Sequence, residues 1–420
     1  MKQPFRNEKP AMKRWLLLGA GIAIGLGVLV RAVTSPAVAT PPESSPTLPR
    51  RQDIPTNDGR WRVGWAVAVP GIIYSGLSAD GSNIAWADNQ GCVRRLLGDS
   101  GRMLWRTAPL SGVNHVAVAP DGSVVAYSRL NPDRNSVVVL HPERGDRSSR
   151  VFAGNGAVWS TAFGANNVAF IGTGGKSVYE VRDPATKMKP IATDGIPESL
   201  AIATDAPRIA TGTWSPAGVL SCSLIEKRNC WRRAETEADR ACRVALAADG
   251  SRIMVLSVRG AKETEGRVRV HDGKTGALLW EARLPDGAAH PTALFSANGE
   301  YVAVTYLRGP RPDDADDWRL AFFGGEGQRL FADKGSALFR PEVAAINADG
   351  SAITVLSGDE TLFTLDRQGN FVAKLRFPPD ARTGRPIRVK RVSSSADGCT
   401  LLLERRDDSL MLLRTGVQKR

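Results

Sequence analysis

The sequence predicts an all-β protein, an eight-bladed β-propeller, and three observations carry that expectation. A turn centred on Asp-Gly or a close substitute recurs eight times after residue 60. The turns are roughly 45 residues apart, the period of a four-stranded propeller blade. The last repeat also ends one strand short, and a strand without a repeat of its own stands at the start of the body. A seven-bladed ring with one degenerate repeat is the alternative.

Ahead of the repeats comes an address. The chain has 420 residues and a formal net charge of +13. That charge sits at its ends: residues 1–39 hold six Lys or Arg against Glu8, and residues 382–420 hold ten against Asp397, Glu404, Asp407 and Asp408. The body between is nearly neutral, so no nucleic-acid partner is expected. Trp15–Val30 is an uncharged apolar run preceded by basic residues. It spans about 24 Å as a helix, and Ala32 and Val33 extend it toward the ~30 Å hydrocarbon core. Residues 1–33 therefore read as a basic cytoplasmic stub with a single transmembrane signal anchor, or as a signal peptide cleaved after Ala37-Val38-Ala39. The first reading ties the chain to the inner membrane through residues 15–33, and the second releases a soluble periplasmic protein. Both export the body. Residues 34–59 are a linker rich in Pro, Ser and Thr, and 60–420 are the propeller.

Within the body the first turn of each repeat is SADGS (78–82), APDGS (119–123), GANN (164–167), TDAP (204–207), AADGS (247–251), SANGE (296–300), NADGS (347–351) and SADGC (395–399). Asp-Gly and Asn-Gly suit a tight hairpin because they adopt positive φ at low cost. Short β-branched strands flank the turns, such as Val116–Val118 and Val124–Tyr127. A fourth strand is marked where a glycine precedes an aromatic residue, in Gly101–Trp105, Gly276–Trp280 and Gly327–Phe331. The eighth repeat stops after its third strand, Ser409–Arg414. Arg60–Trp65 is expected to supply its fourth, closing the ring and hiding both sheet edges.

The stretch from Arg267 to Trp280, RVRVHDGKTGALLW, resembles the repeat of PQQ-like and WD40-like bacterial propellers. The resemblance covers most of residues 60–418 and implies architecture. PQQ-dependent alcohol dehydrogenases, its enzymatic branch, imply a vicinal disulfide, and this chain has no Cys-Cys pair. No Trp-Asp dipeptide occurs either. His115, His141, His271 and His290 lack metal-ligand spacing, and no nucleophile elbow is present in the body. No catalytic residue, cofactor or metal is therefore expected.

Binding is expected instead on the face bearing the inter-blade loops and the loops between second and third strands. Several of the latter are long, at Arg129–Asn135, Val258–Gly266 and Leu307–Trp318, and loops of that length carry function or flexibility. Arg129, Asp313, Asp317 and Trp318 are the binding-face candidates, and an envelope protein is the expected partner. Five cysteines in an exported chain suggest pairing. Cys222 and Cys230 would face each other across a hairpin, with Cys230–Cys242 as the rival pair and Cys92–Cys399 as a second bridge between the first and last repeats. The expected function is a non-catalytic envelope scaffold or binding protein. The alternative is a periplasmic enzyme of lactonase-like or quinoprotein type with its site in the central channel.

Overall fold

Alternating short β-branched runs and tight turns leave the chain one economical arrangement, a series of antiparallel meanders. The computed structural model describes residues 61–415 apart from positions 111, 128–135, 146, 153–156, 165–166, 182–189, 226–229, 235–238, 260–264, 286–287, 309–317, 333–341, 359 and 378–387. Residues 15–33 and the linker lie outside the described residues. Among those described, no helix is long and apolar enough to cross a membrane.

The described strands form eight four-stranded sheets, seven of them simple meanders and the eighth a three-stranded meander completed by the first strand of the body. After β1 (Trp61–Ala68), blade one is β2 (Ile72–Leu77), β3 (Asn83–Asp88), β4 (Val93–Leu97) and β5 (Met103–Arg106). Blade two is β6 (His115–Val118), β7 (Val124–Tyr127), β8 (Ser136–Leu140) and β9 (Arg147–Phe152). Blade three is β10 (Val158–Phe163), β11 (Ala169–Thr173), β12 (Ser177–Val181) and β13 (Ile191–Ala192). Blade four is β14 (Ile196–Ile202), β15 (Arg208–Trp214), β16 (Gly218–Ser223) and β17 (Cys230–Ala234). Blade five is β18 (Asp239–Leu246), β19 (Arg252–Arg259), β20 (Glu265–Asp272) and β21 (Leu278–Arg283). Blade six is β22 (Ala288–Phe295), β23 (Val302–Arg308), β24 (Trp318–Phe323) and β25 (Arg329–Ala332). Blade seven is β26 (Glu342–Ile346), β27 (Ala352–Ser357), β28 (Thr361–Asp366) and β29 (Phe371–Arg376). The last blade is β30 (Val389–Ser394), β31 (Thr400–Arg405) and β32 (Ser409–Thr415), completed by β1 in antiparallel register from Trp61–Thr415 to Ala68–Ser409. The chain is an eight-bladed β-propeller closed by its own first strand.

The core is divided. Buried apolar side chains form eight clusters, one at each junction between neighbouring blades. Each sheet is apolar on both faces because each face packs on a neighbour, which is why central strands such as β3 and β27 are buried throughout.

The glycine-plus-aromatic signal has a specific use at these junctions. The outer-strand ring of one blade lies under the glycine that turns the outer hairpin of the next: Trp65 under Gly101, Trp105 under Gly145, Trp231 under Gly276, Trp280 under Gly327 and Phe331 under Gly369. A Cβ at these glycines would stand 2.6–3.0 Å from ring atoms, and all five have positive φ. Glycine is required on both counts. Three of the tryptophans also donate their indole N–H to a carbonyl of the next blade: Trp65 to Gly98 (3.0 Å), Trp105 to Pro142 (2.9 Å) and Trp231 to Gly273 (3.0 Å).

The Asp-Gly turns repeat in the same way. The first turn residue's carboxylate or amide oxygen accepts the N–H two positions on, in Asp80–Ser82, Asp121–Ser123, Asp249–Ser251, Asn298–Glu300, Asp349–Ser351 and Asp397–Cys399, at 2.8–3.1 Å. Backbone bonds join neighbouring turns, including Ala248 N to Ala297 O (2.7 Å) and, across the closure, Ala396 N to Ala79 O (2.7 Å).

Candidate functional site

The first strand of each blade is innermost, so β2, β6, β10, β14, β18, β22, β26 and β30 line the central channel. Small residues on three of them (Gly76, Ala117, Ala162) leave room for a cleft of about 400 Å³ on the side of blades one to three. Its walls include Tyr74, Leu77, Tyr127, Thr161, Phe163 and Ser393. The cleft runs from the starts of the inner strands toward the Asp-Gly turns, where Ala79, Pro120 and Gly164 bound it.

A charged and aromatic group gathers at the starts of the inner strands. The register of β30 slips between Val389 and Arg391, so Lys390 is the extra residue of a bulge, a device that re-aims side chains. Lys390 and Arg391, which would otherwise point to opposite faces, thus both reach Glu404 on β31. Lys390 Nζ lies 3.0 Å from Oε1 and Arg391 Nη1 lies 3.3 Å from Oε2. Ser75 Oγ on blade one donates to Oε2 at 2.9 Å, and Lys390 Nζ donates to Ile72 O at 3.2 Å. Glu404 has 0% of its side chain exposed, whereas Lys390 and Arg391 keep 39% and 32%. Two cations therefore cover one enclosed carboxylate, and their outer sides face water.

From Arg391 a stack continues around the channel wall. Its guanidinium carbon lies 3.7 Å from the centre of the Tyr74 ring. The Tyr74 and His115 rings are 4.4 Å apart, and His115 and Tyr127 are 5.4 Å apart. His115 Nδ1 is 2.7 Å from Asn114 Oδ1. Thr161 Oγ1 reaches the Tyr127 hydroxyl at 3.4 Å. Blades eight, one, two and three each contribute to this wall. Beside blade eight, Glu342 opens β26 of blade seven. Partial desolvation raises its carboxyl above the ordinary value, against the opposing pull of Arg391.

The loop candidates are placed differently. Arg129, Asp313 and Asp317 lie outside the described residues. Trp318 opens β24 opposite Leu307 and is half-buried, with its indole nitrogen enclosed. Cys222 and Cys230 stand directly opposite each other in β16 and β17, with Cα atoms 4.1 Å apart and a disulfide between them. The expected Cys92–Cys399 bridge does not form. Cys92 is a buried free thiol in the turn between the second and third strands of blade one, whereas Cys399 sits in the turn between the first and second strands of blade eight. Those turns lie at opposite ends of the strands, so neighbouring blades do not bring the two sulfurs together. Among the described residues, no three His, Cys, Asp or Glu side chains are grouped to hold a metal ion.

In the sequence, Tyr74, Tyr127 and Glu404 do not stand out as site residues; His115 is one of four scattered histidines, and Lys390 and Arg391 count only within the basic segment 382–420. One signal does exist. Glu404 directly follows the apolar run Leu401–Leu403 inside β31, and Lys390-Arg391 place two adjacent cations on an inner strand.

No family model matches the chain, and no curated protein matches it. Solved structures do match. The Dos1 propeller superposes with a TM-score of 0.62 at 10% identity, covering 85% of this chain and 96% of that one. Hydrazine synthase of Kuenenia stuttgartiensis superposes with a TM-score of 0.52 at 14% identity, covering 88% and 99%. At such identities the likeness establishes the propeller fold and nothing finer.

Proposed function

We propose that the protein is a non-catalytic binding scaffold of the cell envelope, exported behind residues 1–39 and related in its repeat to PQQ-like and WD40-like propellers. Its partner is an envelope protein, bound on the face that carries the inter-blade loops. The observation that carries this reading is the state of the ionisable groups at the channel mouth. Glu404 is sealed beneath Lys390, Arg391 and Ser75, and His115 is held between two tyrosine rings. Groups engaged with one another in this way shape and charge a surface; a general base needs an open position beside a substrate. The interlocked blade junctions support the reading too, because they hold the loops on a rigid frame.

The test is in-cell cross-linking of the full-length protein, with and without shortening of the 308–317 loop. A specific envelope partner, lost on shortening, is the expected result. A metal ion or PQQ retained by the purified protein, with turnover that disappears on stripping, overturns the scaffold in favour of a channel enzyme. N-terminal sequencing of the mature chain decides the tether: Met1 means anchored, Thr40 means cleaved.

A further inference from the structure

We propose that the central channel is a ligand site for an amphipathic carboxylate. The carboxylate docks at Arg391 beside Tyr74, and the apolar body lies along Leu77, Ala117 and Phe163. This goes beyond the scaffold reading and stands without it, since that reading places its partner on the loops.

The cleft is lined mostly by small and apolar residues, among them Leu77, Ala117, Ala162 and Phe163, with Tyr74, Thr161 and Ser393 as polar members. Ligand sites have this make-up, mostly apolar with a few convergent polar groups. The rings of Tyr74, His115 and Tyr127 pack on one another in series, the first pair tilted and the second stacked, and Tyr74 and Tyr127 line the cleft.

Charge selects the head group. Arg391 and Ser393 are two residues apart on β30 and so share a face, and Ser393 lines the cleft. Arg391 therefore stands at that wall with its outer side accessible. Lys390 and Arg391 share a single buried carboxylate, leaving one positive charge in excess within that group. A carboxylate suits a guanidinium in both charge and hydrogen-bond geometry. Glu342 is the competing anion, drawing on Arg391 from blade seven.

Calorimetric titration of the full-length chain with 4-phenylbutyrate and with 4-phenylbutanamide tests the inference, since the probes differ only in the charged end. The acid is expected to bind at least about tenfold tighter than the amide. Arg391→Gln removes that preference, and Glu342→Gln increases affinity for the acid. Ala117→Phe, which fills the cleft, abolishes binding of both probes; Ala162→Phe on the neighbouring blade repeats this test should the first variant fail to fold. Equal binding of acid and amide, binding that survives the filled cleft, or no binding of the acid overturns the proposal. Loss of the cross-linked partner on loop shortening is a separate readout, so each reading fails on its own evidence.

Discussion

Trp65, Trp105 and Trp231 make the same contact at three blade junctions, whereas Arg391, Tyr74, His115 and Tyr127 make one stack that occurs once. At the junctions each ring lies under a positive-φ glycine and donates to a carbonyl of the next blade. At the mouth, blades eight, one and two contribute a cation, a phenol and an imidazole at one register position of their inner strands, where blade five carries Arg243 and blades three, four and six carry Ser160, Ser199 and Thr292. The first arrangement is duplicated because every blade must bury its faces against the next. The second departs from the repeat where packing does not demand it, and such departures mark where a ring of near-equivalent blades has acquired a distinct side.

The largest predicted effect lies in the repeated frame. Trp105 is 2% exposed and joins blades one and two, so Trp105→Ala is expected to destabilise the protein by about 3–5 kcal/mol, read as a lower urea midpoint. A loss below about 1 kcal/mol would mean that the junctions do not carry the frame. Next comes the mouth. Glu404→Gln keeps the shape but leaves Lys390 and Arg391 without their carboxylate. Both cations remain partly hydrated, so the cost is set below that of a sealed pair, at about 2 kcal/mol. Comparing the urea midpoints of the two variants checks the order, and a larger loss at Glu404 would reverse the assignment of frame and site.

The smallest effect is a pH dependence at a junction. His271 is buried beside Trp231, with Nδ1 3.1 Å from Gly276 O. Burial lowers its pKa, and the Gly276 hydrogen bond only partly opposes this. The unfolded chain then binds a proton more readily than the folded one near the ordinary imidazole value of about 6.5. The stability this group confers is complete above that value and declines as pH falls below it. Urea midpoints at about pH 7.5 and 5.5 should separate more in the parent than in His271→Asn; equal separations would show that His271 does not contribute.

Much of the frame was legible in the residues. The turns at 78–82 and 347–351 announced hairpins because only a few residue types adopt positive φ cheaply. Gly276–Trp280 announced an outer strand, though not that its glycine receives the ring of the preceding blade. The site was legible only in fragments. His115 looked isolated because its neighbours in space, Tyr74 and Tyr127, belong to different strands, and Arg391 looked like part of a basic terminus. The bulge that turns Lys390 toward Glu404 leaves no mark in composition.

The sequence by itself determined the local order of this protein: strand, turn, strand, repeated eight times, with a first strand left over for the last blade. Backbone conformational preference and the period of apolar residues act over a few positions, so they can be read along the chain. Tertiary structure alone decided which aperiodic side chains meet. Tyr74 and Arg391 are more than three hundred positions apart, and only closure of the ring by β1 puts blade eight against blade one. The contacts of Arg391 with Tyr74 and of Ser75 with Glu404 exist because β1 closes the ring.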